Sequence, residues 1–341
     1  MESEPENNGT ITKNHYIICR KSVHITMRTA KTYLGIFVAI ISMGCASKQE
    51  PSASVYELEN MEHPVYYTAS KPITEGDDGE TAVIMIHGWG GGVKVSKEQL
   101  ALQKAIGDIY VVSPLYPRAM VMERHEVAPD GRAVWNDSWP KDLSIPGSPD
   151  DDWRGGGDAN GTNLSSFDVI DTLMNRLSDR RLFPNIKKIA LIGFSAGGQF
   201  VGRYVAVGKG EAGPGITIQY AAMSPSTFLI PDPDDTWHYG LADRPRYSCS
   251  LSEGQIMDNL HSRACLHACG KIDTLEKSLD KTPLAMKQGG NRFIRYQNFR
   301  KFVSEDPQWA EVTRFHEFDS VGHSASAAFV DPFFVEYITG E

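Results

Sequence analysis

The sequence predicts an α/β fold: a mostly parallel central sheet with helices on both faces and two irregular, pocket-forming insertions. Three observations predict it. Short apolar runs, several rich in β-branched residues, recur at Thr81 to Ile86, Ile109 to Ser113, Ile189 to Ile192, Ile216 to Met223, Ala264 to Cys269 and Val312 to Phe318. They need no polar alternation, as expected of parallel strands covered on both faces. One-face helical patterns lie between them, at Ser96 to Ile106 and Ser165 to Leu177. Leu115 to Thr162 and Pro231 to Gln255 show little periodicity and carry many Pro and Asp residues, so they read as insertions.

With 341 residues the chain can hold one large α/β domain. A net charge of -9 without a basic run argues against nucleic-acid binding. No internal repeat, heptad or low-complexity tract stands out. Residues 1–45 read as an N-terminal extension with an export signal, 46–54 as a polar tether and 55–341 as the folded domain. Arg28 and Lys31 supply a positive flank and Tyr33 to Met43 a short apolar core, too brief to span a bilayer, which takes about 20 apolar residues, but suited to a signal peptide. An acidic preamble ahead of that flank points to Met27 as the start. Ser42-Met43-Gly44-Cys45 resembles the lipobox of bacterial lipoproteins, with Ser42 where that family prefers Leu, Val or Ile. The resemblance implies lipidation of Cys45 and a cell-envelope lipoprotein that meets the membrane through its lipid; a secreted protein cleaved nearby is the alternative. Cys19 lies upstream, so two of Cys249, Cys265 and Cys269 can pair in an oxidising compartment. Their spacing matches no zinc pattern, and no metal site is expected.

Along the chain, Val55 to Thr68 reads as early antiparallel strands. Thr81 to Ile86 runs into His87-Gly88-Trp89-Gly90-Gly91-Gly92, a loop whose glycines let backbone approach a ligand closely. His87 itself reads as a structural hydrogen-bonding residue. Ser96 caps the helix that follows. In the first insertion Trp135, Trp139 and Trp153 form either an aromatic wall beside a site or a small local core. Asp150-Asp151-Asp152 reads as a solvated turn, since no ligand spacing is visible. Phe183-Pro184-Asn185 breaks the chain before its central strand.

That strand enters Gly193-Phe194-Ser195-Ala196-Gly197, and a helical pattern starts at Gly198. A serine at the apex of so tight a turn needs small neighbours, and the helix behind it aims its N-terminal amides at the hydroxyl. Ile216 to Met223 ends at Ser224-Pro225-Ser226, and the second insertion reads as a further wall of the pocket. Ala264 to Cys269 leads into Gly270-Lys271-Ile272-Asp273-Thr274, a glycine turn presenting an aspartate, with room for a returning helix and strand. Val312 to Phe318 ends in Asp319-Ser320-Val321-Gly322-His323-Ser324, ahead of a C-terminal helix from Ala325 to Ile338. Asp243, Asp258 and Asp319 compete with Asp273 as the acidic partner of His323. Asp243 lies in the irregular insertion, Asp258 on a helix from Glu253 to His261, and Asp319 only four residues before the histidine.

Strand, G-x-S-x-G and helix, followed in order by an aspartate and a histidine, resemble the α/β-hydrolase superfamily from about Thr81 to Ile338. The Phe-Pro-Asn break, the Gly-x-x-Asp turn, Gln288 to Arg292 and Val321 to Ser324 are similar to exported bacterial lipoprotein-type serine esterases. Phe194 stands where many members have His. The resemblance implies Ser195 as nucleophile, His323 as base and Asp273 as its orienting acid. It also implies an oxyanion hole made by the amides of Ala196 and Trp89, with Gly90 the alternative to Trp89. The implied activity is cleavage of a small-molecule or polymeric carboxylic ester through an acyl-enzyme, with no cofactor. A peptidase or amidase using the same triad, or a non-catalytic binding module on this scaffold, are the alternatives.

Overall fold

The computed structural model describes residues 51–128, 130–136 and 152–340. Its sheet has eight strands: β1 (Ser54–Glu57), β2 (Tyr66–Ala69), β3 (Thr81–Ile86), β4 (Tyr110–Pro114), β5 (Lys188–Phe194), β6 (Thr217–Met223), β7 (Cys265–Gly270) and β8 (Thr313–Phe318). They lie in the order β1-β2-β4-β3-β5-β6-β7-β8. From β4 to β8 all neighbours are parallel, while β1 and β2 form the expected antiparallel edge.

Successive residues of a strand face opposite sides, and every central strand is apolar on both, so each face recruits helices. Ile84, Ile189, Leu191 and Tyr220 share one core with α3 (Ser166–Leu177), α4 (Ala196–Val207), α5 (Glu253–Ser262) and α7 (Arg292–Ser304). Val83, Met85, Ile192 and Met223 share the opposite core with α1 (Lys97–Ile106), α9 (Ala325–Phe329) and α10 (Pro332–Thr339). Capping sets the helix starts: Ser96 accepts from the Gln99 amide at 3.0 Å, and Ser165 forms a capping box with Asp168.

Several expectations change. The C-terminal helix is two helices, because Pro332 cannot continue α9; Asp331 instead caps α10, accepting from the Phe333 amide at 3.0 Å. The first insertion carries a short helix, α2 (Ala119–Arg124), and a single 3-10 turn at Trp153–Gly155. Trp135 and Trp153 are fully buried around Tyr116, at ring separations of 5.1 and 5.4 Å, so they build a local core. Asp152 is buried rather than solvated, because Arg154 grips both carboxylate oxygens at 2.8 Å. Burial alone would raise its pKa, but that guanidinium outweighs it and holds the carboxyl well below the usual range. Two further helices, α6 (Pro283–Gln288) and α8 (Pro307–Val312), flank α7.

Cys249, Cys265 and Cys269 are free thiols. Cys265 and Cys269 share β7, where four residues span about 13 Å, beyond the roughly 7 Å reach of a disulfide. Among the described residues no helix is long and apolar enough to cross a membrane. The signal-like segment with Cys19, Met27 and Cys45, together with Trp139, Asp150 and Asp151, lies outside the described residues.

Candidate active site

Ser195 joins β5 to α4 with φ 59° and ψ -115°, a conformation side chains rarely adopt. The surroundings enforce it. A Cβ on Gly193 would sit 2.3 Å from the Gly197 carbonyl oxygen, and one on Gly197 would sit 2.4 Å from that of Ile86. Only glycine lets the strand, the helix and the end of β3 cross this closely. The Ser195 amide donates to the Met223 carbonyl at 2.9 Å, tying the turn to β6. Ala196 opens α4, so its amide belongs to the first turn, where no intrahelical acceptor exists.

His323 and Asp273 arrive from the ends of the two next-but-later strands. His323 Nε2 lies 2.9 Å from Ser195 Oγ, and His323 Nδ1 lies 2.7 Å from Asp273 Oδ2. The imidazole is partly open to solvent, whereas the carboxylate is fully buried. A buried carboxylate needs compensation. Asp273 has it from His323 on one oxygen and from the buried Arg292 guanidinium, 3.7 Å from the other. A turn hydrogen bond from the Asp273 amide to Gly270 O, at 3.0 Å, fixes the loop. The competing acids stay outside: Asp243 and Asp258 are exposed, and Asp319 pairs with Lys271 at 2.6 Å.

The glycine loop after β3 lies against this turn; a Cβ on Gly88 would be 4.0 Å from the Phe194 carbonyl. His87 is buried beneath the loop, packed against both Tyr116 and Trp153, at ring separations of 5.8 and 4.7 Å. Its Nε2 is 3.2 Å from the Tyr116 amide, which can only donate, so Nε2 accepts and Nδ1 carries the proton. That proton faces the Gly88 carbonyl at 2.8 Å. Burial holds the His87 pKa down at about 4, consistent with this neutral tautomer. The same Gly88 carbonyl accepts from the Gly91 amide at 3.0 Å. In a planar trans peptide the N–H points away from the C=O, so the pinned carbonyl fixes the direction of the Trp89 amide. Arg118 adds a second hold, donating to the Trp89 carbonyl with its guanidinium 3.5 Å over the indole.

Thus Ser195, His323 and Asp273, predicted from sequence, form one hydrogen-bonded chain, and the loops of Trp89 and Ala196 meet beside it. Sequence reading passes over Arg118 and Arg292. Arg292 stands in the Gln288 to Arg292 segment, but a charged residue on a helix gives no sign of burial. The chemistry available is proton transfer from a hydroxyl to an imidazole held by a carboxylate, with backbone amides near the hydroxyl. Among the described residues no group of side chains could hold a metal ion.

No protein-family model matches the chain, and no curated protein does. Solved structures do. Poly(aspartic acid) hydrolase-1 from Sphingomonas sp. KT-1 is similar at 19% identity over 85% of this chain and 99% of its own, with a TM-score of 0.58. The poly(3-hydroxybutyrate) depolymerase LpqC from Bordetella parapertussis is similar at 15% identity over 85% and 91%, with a TM-score of 0.59. At such identities the likeness speaks for architecture, and with the strand order it establishes that the chain has the α/β-hydrolase fold.

Proposed function

We propose that the chain is a serine hydrolase that cleaves carboxylic esters through an acyl-enzyme. The observation that carries this reading is the unbroken hydrogen-bonded series from Ser195 Oγ through His323 to the buried Asp273. A serine hydroxyl alone is a poor nucleophile near neutral pH. As Oγ attacks the ester carbonyl, His323 Nε2 takes its proton, and Asp273 stabilises the imidazolium through Nδ1–H. The amides of Trp89 and Ala196 receive the tetrahedral oxyanion; one such donor is typically worth about 3 kcal/mol of barrier. His323 then protonates the leaving alcohol, and water drawn in by the same imidazole releases the acid. No step calls for a cofactor.

The two neighbours in fold are named for polymer hydrolysis, so a polymeric ester belongs beside small esters in the substrate panel. The positive flank, short apolar core and Gly44-Cys45 of the sequence support export as a lipoprotein anchored at Cys45. The test of the activity is hydrolysis of a panel of aliphatic, aryl and polymeric esters, with matched amides, by the wild type and Ser195→Ala. Ester turnover that the alanine variant lacks supports the reading. Preferential cleavage of the amides shifts it to an amidase, and equal traces in both proteins defeat it.

A further inference from the structure

Two guanidiniums converge on the indole of Trp89. Arg118 lies 3.5 Å over the ring centroid and also donates to the Trp89 carbonyl, and Arg154 lies 5.0 Å over the same ring. Both arginines are buried, while Trp89 is only half-buried, so Arg118 can reach a reaction at the serine only through Trp89. Each arginine stands on a fixed base. The Arg118 carbonyl accepts from the amides of Val121 and Met122 at 2.9 Å, opening α2, and the neighbouring Pro117 carbonyl accepts from the buried Trp135 at 2.9 Å. Arg154 is gripped by Asp152, which in turn meets His238 of the second insertion at 3.2 Å. Both insertions thus bear on one residue of the glycine loop.

The carbonyl that Arg118 holds belongs to the Trp89–Gly90 peptide. In a planar trans unit the N–H points away from the C=O, so Arg118 directs the Gly90 amide, just as the pinned Gly88 carbonyl directs the Trp89 amide. Gly90 is exposed, and a Cβ there would meet nothing within 4 Å. The restraint on this peptide therefore comes from Arg118 rather than from packing around Gly90. We propose that Arg118 is a positioning residue for the reaction. It holds the Trp89–Gly90 peptide so that the loop amides face the oxyanion before the tetrahedral intermediate forms, and Arg154 steadies the indole on which Arg118 lies. The proposal rests on the serine-hydrolase reading. Donors held in advance cost no reorganisation at the moment of reaction, so the guanidinium acts on kcat and little on KM.

The experiment compares wild type, Arg118→Met and Arg118→Lys on p-nitrophenyl butyrate, with kcat counted per Ser195 labelled to completion by a fluorophosphonate. Arg118→Met is expected to lose about 10- to 100-fold in kcat, less than deletion of a whole oxyanion donor costs, with KM little changed. Arg118→Lys keeps a charge and a donor for the carbonyl but has no flat face for the indole, so its loss should be smaller yet measurable. The second readout is the Ki of a trifluoromethyl ketone. Ser195 Oγ adds to its carbonyl carbon and passes its proton to His323, and the carbonyl oxygen, now an oxyanion, takes the place of the intermediate's. That Ki should rise in each variant by the factor that kcat falls. A merely structural role would lower the melting temperature and the labelled fraction but leave kcat and Ki per labelled site unmoved. That result in either variant, or a lysine variant too unstable to yield labelled Ser195, would overturn the role given to Arg118. If wild type is labelled and active while the variants match it per site, only this role fails and the hydrolase reading stands. A wild type that is neither labelled nor active overturns both.

Discussion

Arg292 Nη1 lies 3.7 Å from Asp273 Oδ1, with both side chains buried, and the same guanidinium donates to the carbonyls of Leu275, Lys277 and Ser278. One side chain therefore balances the buried acid and ties down the loop that carries it. The Phe293 amide adds a contact to the Asp273 carbonyl at 3.4 Å.

Removing that guanidinium should destabilise the fold and disturb the acid together. Arg292→Met is expected to lose about 3 kcal/mol of stability, as when one partner of a buried ion pair is deleted. Turnover should fall while KM changes less, since Arg292 touches no substrate. Arg292→Lys keeps the charge but cannot span three carbonyls, and should recover only part of the stability. Urea unfolding and steady-state kinetics on both variants check this; an unchanged urea midpoint in Arg292→Met would show that the clamp is unimportant.

Acid should unfold the protein through its buried histidines. Burial holds His87 at about 4 and His267 at about 3, and drives His238 well below its usual value, against 6.5 in the open chain. A folded pKa that is depressed means that the unfolded state binds protons first. Stability is then complete above about pH 6.5 and is lost as pH falls toward these folded values, by about 1.4 kcal/mol per pH unit for each histidine. His267 packs among Phe228, Phe299 and Phe315, at ring separations of 6.0, 4.8 and 5.8 Å. His267→Phe should therefore flatten the slope by one histidine's share. Urea midpoints at several pH values between neutrality and mild acid measure it, and an identical slope in the variant would contradict the account.

What was legible in the sequence is what short-range chemistry dictates. Buried parallel strands announce themselves as apolar runs, and the serine turn by glycines that the crossing backbones require. Ser195, Asp273 and His323 were found because each follows a strand, and strand ends converge in this topology. A returning helix after Asp273 is expected from the sequence, but its bounds are not legible, because two inward residues of α7, Arg292 and Arg295, are charged and blur its apolar stripe. Arg295 reaches the carbonyls of Ser226, Asp280 and Gly289, partners 69, 15 and 6 residues away, and no local pattern encodes such a set. Asp152 reads as solvated in the sequence for the same reason: its burial depends on Arg154 being folded back, and on His238 arriving from the second insertion at 3.2 Å.

The acid assignment separates cleanly from its rivals. Asp273→Asn should keep the fold and lower turnover by about 10^4, because the amide can favour the wrong histidine tautomer. Asp243→Asn, at an exposed turn with φ 55°, should leave turnover nearly normal. Steady-state rates for the two variants side by side decide it; a crippled Asp243 variant beside an active Asp273 variant would reassign the acid.

The central claim is that Ser195 is a nucleophile activated by His323 and Asp273. The most direct measurement is the intact mass of the protein after exposure to a fluorophosphonate, followed by peptide mapping, for the wild type, Ser195→Ala and His323→Ala. The account predicts one adduct per wild-type chain, mapped to Ser195, none on Ser195→Ala, and labelling slowed by orders of magnitude in His323→Ala. An unlabelled wild type, or an adduct that persists in Ser195→Ala, would contradict it.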